Sequence, residues 1–368
     1  MTSSPVTVGF IGAGNVLPAY LQVLDRLIPR GLAREGPIQA RTPVSRDAVL
    51  ALRPGARVVS DPREVVEASD LVCVLTPPHP RPALVELALR AGCHVVAEKP
   101  LAMSRAEAEP LVLLAAERDL HLLIAPFVQL SPTMRELWAR VADGAIGAVH
   151  SARAMYGNPG SPWAPWFHAG GVGAMAECGI YNLKSLTCLL GPVAEVLAAD
   201  AVAVERRVAG GVAIDDPDAD VTQAILRHAS GALSSVLASQ AIHIYRRPGI
   251  ELYGTEGSAN LLGDDWDPQG IELWREATGT WELIDPPDST WLWADGLREG
   301  VLAAAGVRAP LAQAAQDLHL LDVIDAARTS ARERAWVSVA SAFQPSDLRP
   351  APLTAAHGHD RTRPLDEQ

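Results

Sequence analysis

Residues 94–101 read HVVAEKPL, an apolar run that ends on a carboxylate, an ammonium and a proline. Val95, Val96 and Ala97 have the composition of a buried strand end, which puts Glu98 and Lys99 where core meets surface. Burying either charge is costly unless it is paired or used. A lysine held there is a candidate for chemistry. A solvent-exposed lysine closing a strand is the plain alternative, and the neighbouring motifs decide between the two.

A second stretch, Gly12-Ala13-Gly14-Asn15, directly follows the apolar run VTVGFI at residues 6–11. Gly12 and Gly14 permit a tight turn and let the N–H groups of a helix N-terminus, with Asn15 and Val16, approach a pyrophosphate. Leu17 stands where GxGxxG has its third glycine. Pro18 is tolerated in a first helical turn, where its missing N–H has no partner. An ordinary glycine turn looks the same in isolation; the strand before it and the βαβ context favour dinucleotide binding. At the end of the second strand, an acid would accept from ribose hydroxyls, whereas Ser and Arg would hold a 2′-phosphate. IQARTPVSRD (38–47) has no acid before Asp47 and offers Arg41, Ser45 and Arg46, which favours NADP over NAD.

These residues need elements to position them. Strands are expected at 6–11, 38–44, 57–59, 71–75 and 94–98, with helices from Ala19 to Leu27, over 80–91 and from Ser104 to Arg118. Ser104 and Glu107 form a capping-box signature, and HLLIAPF (121–127) follows. Strands alternating with helices imply α/β architecture, a doubly wound parallel sheet over residues 1–127. After that the pattern changes. A helix at 131–143 leads into the loop AMYGNPGSPWAPWFHAGG, and a further helix covers 173–190. Seven strand-like runs follow, at 193–204, 220–227, 232–240, 249–254, 258–262, 270–275 and 280–284, then helices at 294–305 and 314–331. This reads as an α+β domain over 128–344 on a largely antiparallel open sheet, with a disordered polar tail at 345–368. No internal repeat is present.

Bulk properties narrow the classes. At 368 residues the chain is long enough for two domains with cores of their own. A net charge of −12 without a Lys/Arg block argues against a nucleic-acid binder. Cys73, Cys93, Cys178 and Cys188 form no CxxC pair, and Cys73 and Cys93 read as small core hydrophobes of a reducing compartment. The N-terminus lacks a basic n-region and no apolar run spans a bilayer, so a cytoplasmic protein without membrane attachment is expected. No metal is expected: the histidines, including His357 and His359, show no ligand spacing. The acidic run DDPDAD (215–220) reads as a solvated turn.

GAGN, TPPHP (76–80), ALRAGCHVVAEKPL (88–101), DGAIGAVHSARA (143–154) and GGVGAMAECGIYNLKSL (170–186) together resemble the Gfo/Idh/MocA family of NAD(P)-dependent oxidoreductases, over about residues 5–340. The resemblance implies that Lys99 sits beside the nicotinamide and the reacting carbon, often with a cis peptide before the proline, and that Glu98 helps position the cofactor side of the turn. Leu75, Thr76 and Pro77 would line the cofactor groove at a strand's C-terminal edge. Family members usually carry a His five residues after that Thr; here the slot is Arg81, with His79 displaced. The family's Asp and His, four residues apart on one helix face, correspond to Glu177 and Tyr181. Tyr can serve as acid or base if positive charge lowers its pKa, and Lys99 is the candidate for that. Lys184, on the same helix, reads as a surface residue.

On the loop SPWAPWFH (161–168), Trp163, Trp166 and Phe167 can wall a sugar-like ring whose C–H face stacks on indole, with His168 and Tyr156 as polar partners for hydroxyls. Aromatics that pin the loop to its own domain are the alternative, equal for Trp163 and favoured for Phe167. The expected activity is hydride transfer between NAD(P) and a secondary alcohol or ketone of a sugar, cyclitol or related polar ring. Competing readings are transient oxidation that lets a glycosidic bond be eliminated with no net redox, and a non-catalytic dinucleotide-binding sensor or subunit. The resemblance further implies a homodimer or homotetramer built through the open sheet face.

Overall fold

The computed structural model describes residues 4–349 apart from positions 247 and 289. Six parallel strands form the first sheet: β1 (Val6–Ile11), β2 (Ala33–Gln39), β3 (Val58–Val59), β4 (Leu71–Val74), β5 (His94–Ala97) and β6 (Leu122–Ile124). Their order, β3-β2-β1-β4-β5-β6, reverses direction between β1 and β4. Every residue of β1 and β4 is buried, as central strands covered on both faces require. Helices α1 (Leu17–Leu27), α2 (Pro43–Leu52), α3 (Pro62–Val66), α4 (Arg81–Arg90) and α5 (Arg105–Glu117) supply the cover. α1 buries Leu17, Tyr20, Leu21, Leu24 and Leu27, a stripe at helical spacing.

The second strand runs earlier than its apolar residues indicate. Residues 40–44 leave the sheet because Thr42 caps α2 and Pro43 occupies its first turn. At α5, Ser104 Oγ accepts from Glu107 N at 3.4 Å, but Glu107 Oε2 bonds Met103 N, so only half of the expected capping box forms.

The second sheet has nine strands. After α6 (Pro132–Ala142) come β7 (Val149–Gly157), α7 (Ile180–Leu190) and β8 (Val193–Ala201). A small hairpin, β9 (Arg207–Ala209) and β10 (Val212–Ile214), is followed by β11 (Val221–His228), β12 (Leu233–Ser239), β13 (Ile250–Gly254), β14 (Gly257–Asp264), β15 (Asp267–Arg275) and β16 (Thr280–Ile284). Helices α8 (Gly296–Ala304) and α9 (Ala314–Glu333) and the short β17 (Val337–Ser338) complete the described fold. The order is β16-β15-β14-β13-β7-β12-β11-β8-β17, antiparallel throughout except where β7 pairs with β12. β7 is a correction, since residues 154–157 read as loop. It is central to the sheet, and its half-polar sequence gave no alternation to find. One face packs on α6, α7 and α9; the other leaves Ile225, Leu233, Trp281 and Leu283 exposed.

Two further expectations change. Ala294, Leu297 and Val301 join the core of the first sheet, with Val8, Phe10 and Val96. A Cβ at Gly296 would lie 2.2 Å from Phe127 Cε2, and one at Gly300 2.7 Å from Val96 Cγ2, so glycine lets α8 lie against that sheet. The chain therefore returns to the first domain after leaving it, and a division at 127 is not contiguous in packing. Of the expected disordered tail, residues 350–368 lie outside the described residues. Leu348 is buried, and its carbonyl accepts from Arg135 Nε at 2.7 Å.

Candidate active site

The reversal of strand order opens a crevice at the C-terminal ends of β1 and β4, the position where open α/β sheets bind ligands. A cleft of about 670 Å³ lies there, closed on its far side by the second domain. Gly14, Asn15, Val16, Leu75, Thr76, Pro77, Glu98 and Lys99 line it from the first domain. Tyr156, Trp163, Trp166, Glu177 and Tyr181 line it from the second. Residues spread over more than 160 positions of sequence thus meet in one cavity.

The glycine turn fits a dinucleotide. Gly12 has φ +104° and a Cβ there would lie 3.0 Å from the Leu75 carbonyl carbon, while a Cβ at Gly14 would meet nothing within 4 Å. The first position needs glycine for conformation and the second stands open for close approach. α1 begins without a side-chain cap, which leaves its N-terminal amides for a ligand, and Thr76 Oγ1 is buried without a partner.

Lys99 is where the two domains meet. Its Nζ is 2.8 Å from Glu177 Oε1 and donates to the Glu177 carbonyl at 2.8 Å. An ammonium has three N–H groups, so one remains. The bond before Pro100 is cis. Glu177 lies on a π-helical turn, Met175–Gly179, that leads into α7; such turns recur where a side chain must be re-aimed. Burial pushes the Glu177 carboxyl up, with Lys99 pulling the other way. The Lys99 ammonium also sits 5.2 Å from the centre of the Tyr181 ring.

Tyr181 corrects one expectation. Its phenol is pushed well above its ordinary value, by burial first and then by Glu98 and Glu177. Burial and the two carboxylates dominate there, so the expected lowering by Lys99 does not appear. The Tyr181 hydroxyl has no hydrogen-bond partner among the described residues. Tyr156 packs edge-on against the same ring at 5.5 Å, and burial raises its phenol too.

Behind the lysine, Tyr20 Oη donates to Glu98 Oε1 at 2.9 Å and Glu98 Oε2 accepts from Lys99 N at 3.1 Å. Arg81 is buried, and its guanidinium donates to the carbonyls of Thr76 and Pro100, tying the two turns together. Burial pulls Arg81 down to about 10, even with Glu98 and Glu177 nearby.

Other candidates fall elsewhere. Ser45 completes the cap of α2 with Thr42, and Arg46 donates to the Val58 carbonyl at 3.1 Å. His168 is 3% exposed and donates from Nε2 to Ser161 O at 2.8 Å, so it pins the aromatic loop instead of facing the cleft. The 215–220 run is anchored: Asp218 accepts from the amides of Gly171 and Val172, and buried Asp220 pairs with Arg207 at 2.7 Å. Lys184 is fully buried on Asp317 at 2.6 Å. Phe167 stacks on Trp166 with ring centres 3.7 Å apart.

Sequence reasoning missed Asn158, Gln240, Trp266 and Trp293 as lining residues. Trp266, between acidic residues in the β14–β15 turn, was the one with a signal, a large aromatic where a hairpin needs none. All four cysteines are buried and free. Among the described residues no group of His, Cys, Asp and Glu is placed to hold a metal, and no helix is long and apolar enough to cross a membrane.

A dinucleotide-binding sheet, a second mixed sheet and a lysine between them define a two-domain NAD(P)-dependent oxidoreductase. A family model described as "Oxidoreductase family, NAD-binding Rossmann fold" matches residues 6–125, and one described as "GFO/IDH/MocA C-terminal domain" matches 134–260. The chain belongs to the GFO/IDH/MocA family. It is 29% identical over 329 residues to dTDP-3,4-didehydro-2,6-dideoxy-alpha-D-glucose 3-reductase of Streptomyces antibioticus, covering 82% of this chain and 90% of that protein. To the enzyme of that name from Actinomadura kijaniata it is 31% identical over 205 residues, 54% of this chain and 60% of the relative. The solved structure of levoglucosan dehydrogenase in complex with NADH superposes with a TM-score of 0.81 at 20% identity, over 92% of this chain and 100% of that one, a likeness of fold.

Proposed function

We propose that the protein transfers hydride between NAD(P) and a secondary alcohol or ketone on a sugar, cyclitol or related polar ring. The observation that carries this is the placement of Lys99, Glu177 and Tyr181 in one cleft with the glycine turn. On this reading the first 127 residues with α8 hold the dinucleotide, and the second domain supplies substrate contacts and assembly. Gly12, Gly14, Asn15, Val16, Leu75, Thr76, Pro77 and Glu98 hold the cofactor, whose nicotinamide, when bound, supplies the hydride acceptor or donor. Lys99 orients the substrate oxygen with its free N–H. Tyr181 exchanges the hydroxyl proton, and its raised pKa keeps it protonated at neutral pH, the state that delivers a proton in ketone reduction. Glu177 holds Lys99 in place.

NADP is favoured. With Ser45 and Arg46 engaged by α2 and β3, Arg41, exposed just beyond β2, is the group left for a 2′-phosphate. The exposed apolar residues on the open sheet face support a homodimer or homotetramer. The relatives' names place sugars among the substrates of this family. The test is a screen of sugars and cyclitols with NADP⁺ and NAD⁺, read as reduced-cofactor absorbance. Stoichiometric reduced cofactor, greater with NADP⁺, is expected. Cofactor binding without any turnover would leave a sensor.

A further inference from the structure

The cleft's charges say more about the substrate than its aromatic walls do. Among the described residues that line it, the cations are Lys99 and Arg81 and the anions are Glu98 and Glu177. Neither cation is a free counter-charge for a substrate anion, although Lys99 keeps one N–H for the reacting oxygen. Lys99 is paired with Glu177 at 2.8 Å, and the Arg81 guanidinium is buried on two main-chain carbonyls. Arg207, which borders this region, is 8% exposed and pairs with Asp220 at 2.7 Å while donating to the carbonyl of Gln240. What remains on the substrate side is neutral: Tyr156, Asn158, Trp163, Trp166, Gln240 and Trp266.

These neutral groups suit a ring with hydroxyls. Trp163 is 56% exposed toward its surroundings, and Trp166 presents a second indole stacked on Phe167. Such faces pack against C–H groups. Trp266 lines the same cavity, and its Nε1 is buried without a partner, a donor still to be satisfied. A hydroxyl oxygen can accept from it. Among the described lining residues a phosphoryl or carboxylate group would find hydrogen-bond donors but no unpaired counter-charge, and would be desolvated beside Glu98 and Glu177.

We infer that the substrate is an uncharged hydroxylated ring, without a phosphoryl, nucleotide-diphosphate or carboxylate group, held between the tryptophans of the 163–166 loop and the Trp266 N–H. The inference rests on the hydride-transfer reading and deepens it. It also separates this chain from the relatives whose names specify a dTDP-linked substrate.

The test uses the full chain with saturating NADP⁺. Free hexoses, pentoses, deoxy- and anhydro-sugars and cyclitols are assayed beside their monophosphates and dTDP or UDP conjugates, with cofactor binding followed by fluorescence in parallel. For every scaffold turned over, kcat/KM should favour the uncharged member by about a hundredfold or more, because a charged group would be desolvated there without an unpaired counter-charge. Trp166→Ala and Trp266→Phe should raise KM for that member and leave cofactor affinity unchanged. Equal or better use of a phosphorylated or nucleotide-linked member overturns this inference and leaves hydride transfer standing. Binding of cofactor with no turnover of either series overturns both.

Discussion

Lys99 Nζ lies 2.8 Å from both a carboxylate oxygen and the main-chain carbonyl of Glu177. One ammonium thereby joins the strand-end turn of the first sheet to the helix entrance of the second domain. Lys99→Ala should keep dinucleotide affinity, measured by fluorescence titration, and lower kcat by about 10²–10⁴-fold, the usual contribution of a positioned proton-transfer group. Unchanged turnover would remove Lys99 from the chemistry.

Tyr181→Phe deletes the hydroxyl proposed to carry the proton while keeping the ring that packs on Tyr156. We expect kcat to fall by about 10²–10⁴-fold with little change in cofactor binding. Glu177→Gln should act on the same group from a distance. Glu177 is one of the charges that raise Tyr181, so its removal should move the tyrosine-dependent limb of the kcat/KM pH profile to lower pH. A limb that stays in place or moves up contradicts this assignment.

The Lys184–Asp317 pair tests the seam between α7 and α9. Both side chains are buried, and burial raises the Asp317 carboxyl to about 6 against the pull of Lys184. Lys184→Met leaves an uncompensated carboxylate and should cost about 3–5 kcal/mol in urea unfolding. Lys184→Met with Asp317→Leu should recover most of that loss. Equal losses in the single and double variants would mean that packing, not charge, sets the effect.

Asp265 accepts hydrogen bonds from Asn182 and Ser185 of α7, and burial raises its carboxyl to about 6. The folded state therefore holds this proton more tightly than the unfolded chain, whose carboxyl titrates near 3.9. The resulting stabilisation is present below about pH 4 and is lost as pH rises through about 6, on the order of 3 kcal/mol. Asp265→Asn has no such term. Its melting temperature relative to the unaltered protein should rise between pH 4 and 7, and a pH-independent difference would contradict the buried charge.

Much of the frame was legible because it rests on local rules. Apolar runs at β1, β4 and β5 identified central parallel strands, since strands buried on both faces cannot alternate. The runs at 220–227 and 232–240 marked β11 and β12 equally well, and there Ala224, Leu226, Val236 and Ala238 point into the core at every second position. β7 escaped because its neighbours, not its own residues, make it a strand: β12 and β13 bond it on both sides. At the site, glycine at 12 and lysine at 99 were readable from motif and position.

What the linear chain could not settle was the partner of each charge. Lys184 looked like a surface residue until α9 brought Asp317 to it from 133 positions away. His168 looked like a ligand group until the loop folded it onto Ser161. The sign of the Tyr181 shift was set by its burial, with Glu98 and Glu177 adding to it. Residue types and short-range spacing determine which elements form and where chemistry is available. Ionisation, and the groups left free to meet a substrate, depend on burial and on charges a few ångströms away, and only the packed tertiary structure decides those.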